Sequence, residues 1–209
     1  MSELTAHHHD AHALENHALV SENTKFAMWL FIASETIIFS VFIGIYAVFR
    51  FQNKDIVHAV HEALGFGGIL IVTLNTFLLL TSSWAMVMGL RSIQLDNVKG
   101  GIRWLGITAL LGVIFLVLQY YEYSQLAEKS ITLGFATDAY EGFGMYFYAP
   151  TFFHGFHVFV GVLLCLEVIR RARKGHYSKD NVIMVELFGL YWHFVDVVWI
   201  LLFTLIYLV

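Results

Sequence analysis

Several ionisable side chains in this sequence lie inside long apolar stretches, where they could hold protons, join helices or ligate a metal. Glu35 lies in WLFIASETIIFSVF, and His154 and His157 lie in PTFFHGFHVFVG. His193 and Asp196 lie in YWHFVDVVW, three positions apart and therefore on one face of a helix. Three imidazoles and a carboxylate at comparable depth could bind iron or zinc.

The same histidines and aspartate also fit a role without metal. Within the apolar runs there is no second His-x-x-His or His-x-x-His-His cluster to complete a dinuclear site, and no further histidine for a pair of haem ligands. Buried polar groups in proteins are usually hydrogen-bonded, and a His–Asp or His–Glu pair between helices needs only the residues present. We therefore expect an interhelical polar network rather than a metal site.

Two acidic residues call for separate consideration. Glu35 is about 15 Å into its apolar stretch, close to the middle of a bilayer if that stretch is a helix. A charged carboxylate there costs at least about 2.5 kcal/mol, so Glu35 should be protonated or bonded to a neighbouring helix. Glu35 could have a functional role, in proton chemistry or in contact with another subunit. Alternatively, it is a neutral acid that bonds helices together. Glu122, in LQYYEY, either sits at the membrane interface or reaches a histidine.

Apolar stretches of this length around the ionisable side chains predict a chain that crosses a membrane repeatedly, and the composition agrees. Of 209 residues, 58% are hydrophobic and 13% are charged, whereas soluble domains average about 45–50% and about 25%. The net charge of -4 carries no signature of nucleic-acid binding. The single cysteine excludes an internal disulfide and a thiolate metal site. The polar start indicates no cleavable signal peptide.

Five apolar runs are long enough for transmembrane helices, because each exceeds the roughly 18 residues required. Backbone polar groups cannot remain unpaired in hydrocarbon, so helices are the economical structure for such runs. The sequence therefore predicts an all-α polytopic membrane protein, a bundle of five transmembrane helices. The predicted spans are 26–49, 64–90, 102–121, 143–169 and 186–209.

Basic residues predict the orientation of the bundle. An odd number of spans places the termini on opposite sides, and loops rich in Lys and Arg face the cytoplasm. This predicts a cytoplasmic N-terminus and an external C-terminus. The N-terminal side holds Lys25, Arg91, Lys99, Arg103, Arg170, Arg171, Arg173, Lys174 and Lys179, and the other side holds Arg50, Lys54 and Lys129.

Residues 1–24 form a polar, cytoplasmic tail ahead of the membrane domain of residues 25–209. Histidine tracts can bind metal, but the irregular spacing here favours a solvated or disordered tail that could touch a neighbouring protein. The histidines of this tail are His7, His8, His9, His12 and His17.

Five segments, in order, resemble subunit III of the haem-copper respiratory oxidases. The most specific is YWHFVDVVW at 191–199, which is similar to the last helix of that subunit. The others are LFIASETIIF at 30–39, LNTFLLLTSS at 74–83, LQYYEY at 118–123 and FFHGFHVFVG at 152–161. The resemblance covers about residues 26–209. Five spans are similar to the short bacterial form of cytochrome c oxidase subunit 3, which lacks the first two helices of the seven-helix form.

The resemblance implies a core subunit of a proton-pumping terminal oxidase that reduces oxygen to water in a bacterial inner membrane. The chain would have no active site, haem or copper of its own, since these cofactors belong to partner subunits. Its partners would be subunit I directly, subunit II, a small subunit IV and membrane phospholipids, with no nucleic acid. It would stabilise subunit I and support proton uptake. Cytochrome c is the favoured electron donor, and a quinol is the alternative.

The resemblance also implies roles for particular residues. Phospholipids would lie in a V-shaped cleft between helices 1–2 and helices 3–5. The family's buried carboxylate would be Glu35. Lipid contacts would fall on Phe31, Arg171, Lys174 and His176, and the interhelical polar network would comprise His154, His157, His193, Asp196 and Glu122.

Two functions from other classes compete with this interpretation. A stand-alone transporter or proton channel could use Glu35 and the histidines, and would need a water path through one chain. A membrane metalloenzyme could be built on the histidines of the last two spans together with Asp196. The five ordered segments favour the oxidase subunit over both.

Overall fold

The computed structural model describes the backbone of residues 2–129, 131, 142–178 and 181–208, and their side chains from Leu19 onward except that of Ala63. In these residues the chain forms five α-helices and a closing π-helical turn, Thr204–Leu208. The α-helices are α1 (Ser2–Gln52), α2 (Lys54–Gln94), α3 (Val98–Glu128), α4 (Phe143–Arg173) and α5 (Ile183–Phe203).

Each α-helix includes a segment long and apolar enough to cross a membrane. The segments are Leu19–Gln52, Leu64–Gln94, Val98–Glu128, Phe143–Arg173 and Ile183–Leu208. The predicted bundle of five membrane helices is therefore confirmed. The α1 helix begins at Ser2, ahead of the predicted span. The side chains of His7, His8, His9, His12 and His17 lie outside the described residues.

Polar contacts show which helix ends lie together. Lys25 of α1 pairs with Glu186 of α5 across 2.9 Å, so the apolar part of α1 and the α5 helix start at one end of the bundle. At the other end, Arg50 Nη1 donates to the Leu205 carbonyl over 2.9 Å. His61 Nε2 donates to the Ile206 carbonyl at the same distance. Successive helices thus run in opposite directions, as five spans require.

The helices do not group as the predicted cleft requires. The α2 helix packs most extensively on α3, and α4 packs between α3 and α5. The α1 helix lies against α4 and α5 and makes few contacts with α2. The predicted cleft between helices 1–2 and helices 3–5 is therefore wrong for the described part of the chain, because α2 packs on α3 rather than on α1. Close backbone approach holds that pair together, since a side chain at Gly101 of α3 would clash with Ile93.

The α2 helix is kinked at Gly65, which has φ 63° and ψ 178°. Glycine adopts positive φ without the steric cost that a Cβ brings. The neighbouring Gly67 does not mark a close approach of another helix, because a Cβ there would meet nothing within 4 Å. The kink instead redirects the first part of α2 so that His61 reaches the end of the chain.

The centre of the bundle is Trp192 of α5, whose side chain is fully buried. Two glycines make room for its ring. A Cβ at Gly112 of α3 would lie 2.9 Å from the ring, and a Cβ at Gly161 of α4 would lie 2.6 Å from it. Three helices therefore meet at one indole.

Replacing Gly161 by alanine should destabilise the bundle, because overfilling a packed core costs about 1–3 kcal/mol. Gly155→Ala on the same helix is the matched control, since a Cβ there meets nothing within 4 Å. That control should be neutral or stabilising by up to about 1 kcal/mol through helix propensity. The midpoint of heat denaturation in detergent would separate the two variants. Equal midpoints would contradict the packing of Trp192.

Candidate functional site

The contact that joins α1 to α4 in the apolar interior is between Glu35 and His157. Glu35 Oε2 lies 3.3 Å from His157 Nε2, and the two side chains are 15% and 9% exposed. The atoms are within ion-pair distance but are not aligned as a hydrogen bond, since Glu35 Oε2 has no hydrogen-bond partner among the described residues. An acid and an imidazole therefore share a nearly dry interface.

The tautomer of His157 is fixed by its own helix. His157 Nδ1 lies 2.9 Å from the Phe153 carbonyl. A carbonyl oxygen only accepts hydrogen bonds, so Nδ1 carries a proton. Two arrangements then remain neutral overall. In one, Nε2 carries no proton and faces a protonated Glu35, and in the other Nε2 carries a second proton and faces the Glu35 carboxylate. The pair has no net charge in either form, which suits a site surrounded by apolar groups.

Aromatic rings enclose this pair. The Phe39 and Phe153 rings meet His157 edge to face at centroid distances of 5.3 and 4.7 Å. Tyr191 stacks near His157, and its hydroxyl donates to the His157 carbonyl over 2.9 Å. Rings that exclude water strengthen the electrostatic interaction between the acid and the imidazole.

His154 takes a different place although it is three residues from His157. It is fully buried and stacks on Trp199 of α5 with ring centroids 4.9 Å apart. The edge of Phe115 from α3 lies against it at 5.7 Å. Neither ring nitrogen finds a hydrogen-bond partner in the described part of the chain. The two histidines of α4 thus face different neighbours and form no joint site.

His193 and Asp196 are not paired with each other or with the histidines of α4. His193 Nδ1 lies 2.5 Å from the Ser83 hydroxyl of α2. Asp196 is 3% exposed, and neither carboxyl oxygen has a hydrogen-bond partner among the side and main chains described. The Ser83 hydroxyl lies beside Asp196 as well, but its hydrogen bond in this structure is with His193.

Two indoles of α5 add hydrogen bonds to α2 that the sequence analysis missed. Trp192 Nε1 donates to Ser82 Oγ and Trp199 Nε1 donates to Thr76 Oγ1, each over 2.9 Å. A signal existed in the sequence. The two hydroxyl residues are separated by nearly two helical turns, as are the two indoles, so antiparallel helices bring both pairs into register.

Glu122 is buried, and its hydrogen-bond partners are Tyr207 and Gln119 rather than a histidine. Its Oε1 accepts a hydrogen bond from the Tyr207 hydroxyl at 2.6 Å, and its Oε2 accepts one from Gln119 Nε2 at 2.8 Å. Tyr207 lies in the closing π-helical turn. Glu122 therefore joins the closing π-helical turn to α3, and no sequence pattern points to Tyr207 as its partner.

The predicted lipid-contact residues lie on α1 and at the end of α4. Phe31 is 42% exposed, and its ring stacks near Tyr191 at 6.3 Å. Arg171 Nε donates to Glu167 at 2.8 Å. Lys174 and His176 follow the end of α4 and are exposed. An exposed aromatic ring thus stands on one helix and a cationic cluster stands at the end of another.

These placements bear on the metal alternative. Glu35 with His157, His154 with its aromatic neighbours, and His193 with Ser83 are three separate arrangements. Within residues 19–129, 131, 142–178 and 181–208, no three side chains of His, Cys, Asp or Glu are grouped to hold a metal ion. What the site can do is hold protons and bond helices.

Comparison with known proteins finds a family that matches nearly the whole chain. The family model described as cytochrome c oxidase subunit III matches residues 6–209. The chain is 38% identical over 180 residues to cytochrome c oxidase subunit 3 of Thermostichus vulcanus, covering 86% of this chain and 84% of that protein.

Two further relatives are also similar over most of their length. Cytochrome c oxidase subunit 3 of Bacillus sp. (strain PS3) is 33% identical over 98% of this chain and 95% of its own length. Cytochrome bo(3) ubiquinol oxidase subunit 3 of Buchnera aphidicola is 30% identical over 92% of this chain and 90% of its own length. The similarity therefore spans most of each protein rather than an isolated motif.

Removing one partner of the Glu35–His157 pair should destabilise the bundle more than removing both. Glu35→Leu or His157→Leu leaves a buried polar group unpaired, which costs about 1–3 kcal/mol. The double variant should recover part of that loss. The measurement is the free energy of unfolding in detergent for the four proteins of a double-mutant cycle. Ser40→Leu, an exposed position on α1, is the control, and additive effects would contradict the pairing.

Proposed function

This chain belongs to the cytochrome c oxidase subunit III family, and from this membership we propose that it is a non-catalytic core subunit of a proton-pumping terminal oxidase. The complex would reduce oxygen to water, with its haem and copper in other subunits. The observation that carries this proposal is the match of the family model to residues 6–209. His193 and Glu122 fit it, because their side chains bond to other helical segments of the same chain.

We propose cytochrome c as the electron donor of the complex. Relatives named cytochrome c oxidase subunit 3 reach 38% identity, while the relative from a ubiquinol oxidase is 30% identical. That second relative makes a quinol oxidase the alternative. The donor docks elsewhere in either case, since a subunit without redox centres does not take up electrons.

We propose that this chain packs directly on subunit I, and that subunit II and a small subunit IV complete the complex. The surface of α1 supports this packing. Only 11% of the α1 span is buried within the chain, compared with 56% of the last span. Membrane helices associate through faces that carry small residues, and α1 exposes Ser34, Ser40 and Gly44. This face leaves room for a second membrane protein.

A role in proton uptake is supported by the Glu35–His157 pair. Its two neutral arrangements differ only in the position of one proton, so a proton can pass between the two side chains without burying a net charge. The bacterial inner membrane, with the N-terminus in the cytoplasm, is the proposed location. Lys25 and the basic end of α4 would then lie on the cytoplasmic side.

Phospholipid binding is supported by the exposed cations that follow the last turn of α4. Basic residues beside a membrane helix attract anionic head groups, at about 1 kcal/mol each. We propose that Arg171, Lys174 and His176 contact the head group and that Phe31 contacts an acyl chain.

Replacing Arg171, Lys174 and His176 together by glutamine should reduce the phospholipid retained by the purified complex. The loss of roughly 1 kcal/mol for each of Arg171 and Lys174 predicts at least about a tenfold weaker retention. Native mass spectrometry of lipid adducts is the measurement. Substituting Lys99→Gln, at the start of α3, is the control and should leave retention unchanged. Retention equal to that of the unmodified complex would refute these head-group contacts.

Purification through a tag on this chain in a mild detergent tests the main proposal. We expect haem- and copper-containing subunits to copurify and the preparation to show a reduced haem spectrum. The chain freed of its partners should show none. A stand-alone channel would instead conduct protons alone in liposomes. A metalloenzyme would retain stoichiometric iron or zinc after separation, and either result would contradict the proposal.

A further inference from the structure

A small cavity opens between the ends of three helices at the end of the bundle where α5 begins. Its volume is about 270 Å³, and it is lined by α1, α2 and α5. Lys25 and Glu186 form an ion pair over 2.9 Å on its lining, with side chains 46% and 27% exposed. The cavity therefore reaches the water-exposed end of the bundle.

His193 forms the inner part of the cavity lining. Its ring is half-buried, and its Nδ1 is engaged with the Ser83 hydroxyl at 2.5 Å. Nε2 is then the nitrogen that remains for water in the cavity. A histidine with one nitrogen toward water and the other toward a buried hydroxyl can pass a proton inward.

Asp196 lies behind this histidine, next to Ser83. It differs from Glu122 and Glu35, which also lie inside the described part of the bundle. Glu122 accepts two hydrogen bonds, and Glu35 faces His157. Asp196 is 3% exposed, with both carboxyl oxygens unpartnered by any described residue. An isolated buried carboxylate is costly enough that the group neutralises instead, so Asp196 holds a proton.

We propose that Asp196 is a proton-binding site that exchanges with water in the cavity through Ser83 and His193. To load ionised Asp196, a hydronium ion in the cavity gives a proton to His193 Nε2 and is left as water. The proton on Nδ1 passes to Ser83 Oγ as the Ser83 hydroxyl proton passes to the carboxylate. The chain gains one proton in total, and the histidine is left in its other neutral tautomer. Release runs through the same bonds in reverse.

The charged surroundings allow this exchange. Lys25 of α1 and Glu186 of α5 neutralise each other on the cavity lining, and α2 contributes apolar side chains there. The titratable histidines of α4 make their contacts elsewhere, because His154 stacks on Trp199 and His157 faces Glu35 of α1. The inference concerns a proton held within this chain and does not depend on the proposed function.

Infrared spectroscopy of the purified membrane complex during exchange from H₂O to D₂O tests the site. A protonated carboxyl band should be present and should be missing from Asp196→Asn, which assigns it. In the unmodified protein the band should shift as soon as the buffer is exchanged. Ser83→Ala and His193→Leu should each slow the shift by about tenfold or more, a factor that corresponds to about 1.4 kcal/mol in the barrier.

Thr81→Ala is the matched control, because the Thr81 hydroxyl is exposed and bonds only within its own helix, to the Phe77 carbonyl. It should leave the exchange rate unchanged. If His193→Leu fails to assemble, Ser83→Ala alone decides the route. The proposal is overturned if Asp196→Asn removes no band, or if the band shifts equally fast in Ser83→Ala. Copurification of haem subunits is read separately, so that result cannot be mistaken for this one.

Discussion

The scarcity of water inside an apolar bundle governs the buried polar contacts that the structure describes, and the Glu35–His157 pair shows this most clearly. The α1 helix has only 11% of its span buried, so it has little apolar area with which to hold itself in place. Its central acid lies 3.3 Å from an imidazole whose other nitrogen is already bonded to a carbonyl. With one proton between the carboxylate and Nε2 the pair carries no net charge, and the Phe39 and Phe153 rings pack against it.

The same constraint explains why α5 is the centre of the molecule. Its indoles bond to hydroxyls of α2, its Trp192 ring fills the space left by glycines of α3 and α4, and the segment after it is fastened to α3 through Glu122. Each polar group that α5 buries, apart from Asp196, meets a partner on another helix. Asp196 is the exception, and this is why it stands out as a proton-binding site.

Much of this fold follows from the sequence, because long apolar runs can only be membrane helices and their number sets the direction of each. The partners of buried side chains do not follow as readily. His154 and His157 share a face by spacing, yet that face touches two neighbours, so one histidine meets α1 and the other meets α3 and α5. Hydropathy is similar for all five spans and does not encode which helices pair. The expected grouping of helices 1 and 2 therefore failed. Ser82 and Thr76 resembled ordinary small polar residues until the indoles opposite them were known.

The most direct test of the central contact is a solid-state NMR distance measurement on the membrane-embedded complex. The Glu35 side-chain carboxyl would carry ¹³C and the His157 ring would carry ¹⁵N. A strong dipolar coupling between the carboxyl carbon and Nε2, with Nδ1 protonated, is the result that the 3.3 Å contact predicts. Absence of that coupling, or a bare Nδ1, would show that α1 is held by something other than this pair.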